Sequence, residues 1–165
     1  MSSELDQLRN RFIESGGQIT QSIGVGRVIG QVFAHIYFSP EAQTLDDLTR
    51  ELSISKGAAS MSVRQLEQWG AVRQVWVKGE RKDYYEADED FGRIIRRALL
   101  DLIGRRMETA DTLLKDAERF AAASRKPSKD PEREFMRRRI EKLRIFRDRA
   151  QYIWDSSIIR LLLKK

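Results

Sequence analysis

Between Thr44 and Asp88 the chain reads as helix, tight turn, second helix and two-stranded hairpin with a basic tip, the outline of a winged helix-turn-helix. The first helix is Leu45-Asp46-Asp47-Leu48-Thr49-Arg50-Glu51-Leu52. Its leucines fall at i, i+3 and i+7, one face of a 3.6-residue period. Thr44 is placed to cap its start, and Asp46 and Asp47 suit the positive end of the helix dipole. Ser53-Ile54-Ser55 is a short turn anchored by Ile54, and Ser55 caps the next helix, Lys56 to about Trp69. Gly70 ends that helix, where a left-handed residue is usual. Val72–Val77 then reads as a strand, Lys78–Lys82 as a turn and Asp83–Ala87 as the returning strand.

The second helix divides its residues unevenly. Ala59, Val63 and Leu66 fall on the inward face, while Lys56, Ala58, Ser60, Met61, Ser62, Arg64 and Gln65 are left to face out or sideways. Small and polar residues let a helix approach a major groove closely, and hydroxyls and arginine reach phosphates and base edges from there. With the cap residue Ser55 and the hairpin-tip cations Lys78, Arg81 and Lys82, these residues form the candidate DNA-contact set. A basic hairpin tip alone is usually only a solvated turn. Order and spacing together are specific for the fold, and less so for DNA, because winged helices also serve as protein-interaction modules.

The rest of the chain agrees with one compact unit, mainly α with a small β-hairpin. A winged region with N-terminal helices spans residues 1–90, a helical region residues 91–165, and a proline-bearing linker lies at about 125–131. At 165 residues a domain buries on the order of 70% of its unfolded surface. Lys+Arg outnumber Asp+Glu by 31 to 25, a net +6 that favours a polyanionic partner. There is no cysteine, so no disulfide framework and no thiol chemistry. No run is long and apolar enough to span a membrane, and the polar N-terminus lacks the shape of a signal peptide. The expectation is a cytoplasmic protein with no membrane partner.

Upstream of the winged region, residues 4–15 form a short amphipathic helix with Leu5, Leu8, Phe12 and Ile13 on one side, and Gly16-Gly17 is expected to interrupt it. Val28–Phe38 is a second, strongly apolar helix. Gly30 in its interior costs roughly 1 kcal/mol relative to alanine, which implies close helix packing. Downstream, Phe91 to about Ser124 and Glu132 to Leu163 read as two long helices. The apolar stripe of the second runs through Met136, Ile140, Leu143, Phe146, Ala150, Ile153 and Leu161, with Ser157 in one stripe position. Helices of about 30 residues are about 45 Å long, more than a small winged domain needs for its own core. Two long apolar stripes call for a second copy of the chain, so a homodimer is expected. The alternative is an intramolecular hairpin over the bend at Pro127. Paired recognition helices about one turn of DNA apart read palindromic sites.

No catalytic constellation is legible. The only histidine, His35, sits inside an apolar helix, where a structural role is expected. There is no His/Cys metal set and no cofactor motif: Gly24-Val25-Gly26 lacks the later glycine and the preceding strand of a dinucleotide fingerprint. Asp88-Glu89-Asp90 reads as the opening of the helix after the wing. Arg137-Arg138-Arg139 spreads around its helix among Glu134, Glu141 and Asp148, and reads as a solvated face. The chain is therefore not expected to be an enzyme.

Gly26–Gly30, the phrase from Ser55 to Val72, and Gly79-Glu80-Arg81-Lys82 with Tyr84-Tyr85 resemble the GbsR branch of the MarR-like transcriptional regulators. The resemblance covers about residues 12–90, and the C-terminal half matches only in being helical. It implies a homodimeric winged-helix regulator of double-stranded DNA, usually a repressor, in a branch where some members respond to choline or glycine betaine. A quaternary ammonium is held by aromatic faces through cation–π attraction. Tyr37 and Trp154 are the candidate walls for such an effector. Two rival functions stay open: a winged-helix protein-interaction module, and a basic chromosomal protein that binds DNA regardless of sequence.

Overall fold

The computed structural model describes residues 2–123 and 130–155. The elements run α1 (Ser2–Ser22), α2 (Arg27–Tyr37), β1 (Gln43–Thr44), α3 (Leu45–Leu52), α4 (Lys56–Trp69), β2 (Val72–Val75), β3 (Tyr84–Ala87), α5 (Phe91–Ala123) and α6 (Pro131–Asp155). They fall into two units, residues 1–99 and residues 100–165. The sequence places the division between winged and helical regions at residue 90. The first turns of α5 belong to the winged unit because Ile94 packs into its core.

In the first unit, α3 and α4 form the helix-turn-helix. Thr44 caps α3 in a reciprocal box: its Oγ1 accepts from Asp47 N at 3.2 Å, and its own N–H donates to Asp47 Oδ2 at 3.0 Å. Two donors that a helix start leaves without partners are satisfied at once. Ser53 closes α3 in a left-handed conformation at φ 52°. Ser55 Oγ accepts from Ala58 N at 3.1 Å and caps α4. Gly70 ends α4 at φ 70°, a conformation in which a side chain would be strained, and Ala71 N–H returns to Leu66 O at 2.8 Å.

The wing is a three-stranded antiparallel sheet in the order β1-β3-β2. Val72 lies opposite Ala87 and Val75 opposite Tyr84, while Gln43 and Thr44 pair with Tyr85 and Tyr84. The sequence pattern predicts two strands, and longer ones. β1 was missed because two residues carry no periodicity, and the ladder stops at Val75 and Tyr84, leaving a longer tip. The core joins Val32 and Ile36 of α2, Leu48 of α3, Ala59, Val63, Leu66 and Trp69 of α4, Val72 and Tyr85 of the sheet, and Ile94 of α5.

Helix α1 runs unbroken through Gly16-Gly17, contrary to expectation. The two glycines are a crossing point and not a break. A Cβ on Gly16 would come within 2.9 Å of Gly30 O, and one on Gly17 within 2.8 Å of Gln31 Cγ. Gly30 faces the Gly16 carbonyl across the same contact, so the tight packing inferred for it is present. Thr20 Oγ1 donates to Gly16 O at 3.0 Å, and Arg27 pairs with Glu14 beside it. Of the apolar side of α1, Ile13 is buried, whereas Leu5, Leu8 and Phe12 are exposed.

In the second unit, Leu114 of α5 and Ile140 of α6 are buried. Arg147 of α6 reaches Asp111 Oδ1 at 3.2 Å and Glu118 Oε1 at 3.5 Å, so the two helices meet within one chain. Leu113, Leu143, Phe146 and Ile153 stay exposed in that chain. Pro131 opens α6 at a position where a missing N–H costs nothing. Of the linker, only residues 130 and 131 are described, and Ser157 and Leu161 lie outside the described residues.

Candidate nucleic-acid interface

Helix α4 presents one line of side chains to solvent: Lys56, Gly57, Met61, Arg64 and Gln68 are exposed. From Gly57 through Met61 and Arg64 to Gln68 the steps are four, three and four residues, one face of the helix, with Lys56 beside its start. Gly57 leaves that face open, since a Cβ there would meet only Ser55 Oγ at 3.9 Å. Met61 is 74% exposed. The remaining candidates of this helix are less available. Ala58, Ser60 and Gln65 are half-buried, and Gln65 donates to Gln68 at 3.2 Å. The oxygen of Ser55 is occupied as a cap. Ser62 is 4% exposed and lies beside Val63 on the inward side, so it is removed from the contact set. Its polar character placed it outside in the sequence reading, but a small hydroxyl is compatible with a core position.

At the wing, Lys78, Arg81 and Lys82 are all exposed. Lys82 Nζ donates to Asp46 Oδ2 at 3.0 Å, and Lys56 Nζ to Asp46 Oδ1 at 3.2 Å. One carboxylate of α3 thus holds a cation of α4 and a cation of the wing. The Lys82 hydrogen bond, then that of Lys56, keeps the Asp46 carboxyl below its ordinary value, and Asp46 raises Lys82 in turn. Arg73 of β2 pairs with Glu86 of β3 at 3.3 Å, and Gln74 donates to Asp83 at 2.6 Å, closing the hairpin beneath its tip. Among the described residues, Arg64, Lys78 and Arg81 stand in no ion pair. The head therefore shows an open helix face and a basic tip, joined by Asp46. Asp46 itself, Gly57 and Gln68 lie outside the candidates read from sequence. The helical spacing from Met61 to Arg64 and Gln68 could have supplied Gln68.

Other expectations resolve simply. His35 is buried and its Nε2 lies 3.1 Å from Gln43 Oε1, a structural pairing of α2 with β1. Asp90 Oδ1 accepts from Arg93 N at 3.0 Å and opens α5. Arg137 pairs with Glu134 at 2.8 Å and Arg139 lies over the Phe135 ring at 5.0 Å, in keeping with a solvated face. Tyr37 is half-buried, with its ring centroid 5.1 Å from Phe38, 5.2 Å from Phe91 and 5.7 Å from Phe33. Its aromatic surroundings are packing partners in the first unit. The Trp154 side chain lies outside the described residues. Among the described residues no group of three or more metal-ligating side chains could hold an ion, and no helix is long and apolar enough to cross a membrane.

Fold and site together define a winged helix-turn-helix. Over 87 residues, 53% of the chain, the sequence is 30% identical to the HTH-type transcriptional repressor GbsR of Bacillus subtilis strain 168, covering 48% of that protein. It is 26% identical over 87 residues, again 53% of the chain, to the HTH-type transcriptional repressor OpcR of the same strain, covering 47% of it. The chain spans about half the length of the curated relatives it matches. A solved transcriptional regulator shares the fold at a TM-score of 0.50 and 21% identity, with 88% of this chain and 97% of that one covered. No protein-family profile matches the chain. The resemblance to GbsR-like regulators read from the motifs is thus also a measured similarity of sequence.

Proposed function

We propose that this chain is a sequence-specific DNA-binding transcriptional regulator of the repressor type, acting as a homodimer on palindromic sites in the cytoplasm. The observation that carries the reading is the open face of α4 from Lys56 through Met61 to Arg64, with the unpaired cations Lys78 and Arg81 on the adjoining wing. Helix α4 enters the major groove and reads base edges, and the wing contacts the backbone beside it. The similarity to proteins named as repressors supports the same reading. The exposed apolar residues Leu113, Leu143 and Phe146 supply surface for a second copy.

A competition assay tests it. Genomic fragments selected by the protein are titrated against scrambled duplex at fixed salt. A specific regulator prefers its selected site by at least about a thousandfold. Equal affinity for both duplexes would favour a sequence-indifferent chromosomal protein, and no binding to either a protein-interaction module.

The proposal extends to control by a small quaternary ammonium such as choline or glycine betaine, on the ground of the GbsR-like resemblance. Such a ligand releases DNA only by binding the free and bound states with different affinity. Calorimetry with choline, glycine betaine and tetramethylammonium, beside operator titrations with each, tests this. No heat and no shift at millimolar ligand would discard this effector class. Binding that survives loss of both Tyr37 and Trp154 would discard those walls alone.

A further inference from the structure

The two most exposed large apolar side chains described in the first unit are Trp76, at 78%, and Met61, at 74%. Both belong to the reading head. Met61 sits on the outward face of α4, already assigned to DNA. Trp76 follows the last paired residue of β2, Val75, and precedes the basic tip. An indole is the largest apolar surface a side chain offers, and it is costly to leave in water. Nothing in the core claims it: the hairpin is closed by the pairs Val75 with Tyr84, Arg73 with Glu86 and Gln74 with Asp83.

The charge around the indole selects its occupant. Lys78 lies two residues on, and Arg81 and Lys82 complete the tip. The nearby carboxylates of Asp46 and Glu86 are each engaged by a cation, and Asp83 accepts from Gln74. Glu80 shares the tip, but Lys78 and Arg81 stand in no ion pair among the described residues, and an aromatic beside such cations suits a surface that is apolar and anionic at once. The deoxyribose-phosphate backbone of DNA has that character, sugars presenting C–H faces between phosphates. Indole has a matching double character, a broad apolar face and one N–H donor with no acceptor. We propose that Trp76 is a DNA-contact residue of the wing, its ring lying against a deoxyribose and its Nε1–H donating to a phosphate. The inference rests on the DNA-binding reading above.

A neutral contact is separable from a charged one. Loss of Trp76 lowers affinity without changing the number of counterions released, whereas loss of a phosphate-paired cation reduces the salt slope by about 0.9. The experiment is titration of selected and scrambled duplex with the full chain and its Trp76→Ala, Trp76→Phe and Arg81→Ala variants, at several salt concentrations. Trp76→Ala is expected to weaken both duplexes about tenfold with an unchanged salt slope, and Trp76→Phe to recover only part of the loss, since it keeps a ring but not the Nε1–H donor. Indole emission supplies a second readout. Of the three tryptophans, Trp69 and Trp154 are both kept in Trp76→Phe, so a DNA-induced change present in the wild type and absent from that variant reports residue 76. Wild-type affinity in Trp76→Ala, or the same emission change in Trp76→Phe, overturns the assignment while leaving the DNA reading intact. A wild-type chain that binds no duplex overturns both. A Trp76→Ala chain with unchanged affinity but altered sedimentation would place the indole in a protein contact and also overturn it.

Discussion

Lys82 of the wing and Asp46 of α3 are joined at 3.0 Å across 36 residues of sequence, and the same carboxylate takes Lys56 of α4 at 3.2 Å. The two lysines proposed to contact DNA are therefore both held by one acidic side chain. Both pairs are exposed, so their value lies less in stability than in charge.

Asp46→Asn is expected to tighten DNA binding roughly three- to tenfold at low salt, for specific and scrambled duplex alike, because it removes a negative charge that competes with phosphate. The gain should shrink as salt rises. Titrations at two salt concentrations check it. Weaker binding would mean that Asp46 serves to aim the lysines.

Arg64→Ala is expected to cost about 1–3 kcal/mol at the selected site and to relax preference at one base position. Arg81→Ala should weaken all sequences more evenly and flatten the salt slope by about 0.9. Unchanged affinity in both folded variants would mean that the reading head lies elsewhere.

Gly30→Ala and Gly104→Ala should move stability in opposite directions. A methyl at residue 30 would overlap the Gly16 carbonyl, whereas one at residue 104 meets nothing within 4 Å. The first should cost about 1–3 kcal/mol despite the better helix propensity of alanine. The second should gain about 0.5–1 kcal/mol. Thermal unfolding of both variants measures this, and equal shifts would contradict the crossing.

The capping box predicts an acid-sensitive step. The Thr44 hydroxyl, with the Thr44 backbone N–H beside it, holds the Asp47 carboxyl at about 2, below its ordinary 3.8. A depressed carboxyl contributes stability that is fully present above about pH 4 and fades as pH falls towards 2. Asp47→Asn should lose this contribution at neutral pH and flatten the profile between those limits. Thr44→Ala should cost about 1 kcal/mol. Melting temperatures from pH 6 to pH 2 provide the comparison.

Sedimentation at micromolar concentration should give about twice the 19.2 kDa chain mass. A clean monomer would remove both the homodimer and the palindromic site.

Where local chemistry decided the structure, the sequence announced it. Thr44 and Ser55 cap, Gly70 turns, and the leucines of α3 face inward because a helix start, a helix end and a 3.6-residue period each demand particular residue types. What was misread depended on partners distant in the chain. Gly16-Gly17 looked like a break until Gly30 supplied the neighbour that requires them. Gln43 and Thr44 became a strand only because Tyr84 and Tyr85 lie alongside. Ser62 looked like a contact residue, and only packing shows that it faces inward. The exposure of Arg64, Lys78 and Arg81 was legible from position and charge. The Asp46 bridge was not, since no periodicity relates residue 46 to residue 82.

Thr44 ends a strand and caps a helix in the same residue. There is no spacer between β1 and α3 to act as a hinge, so that strand and that helix move together. A disturbance at the wing is felt at the mouth of α3, and fraying of that helix loosens the outer strand. Any signal that alters this head has two options: carry it as a single rigid tool, or melt the joint and lose wing and helix together.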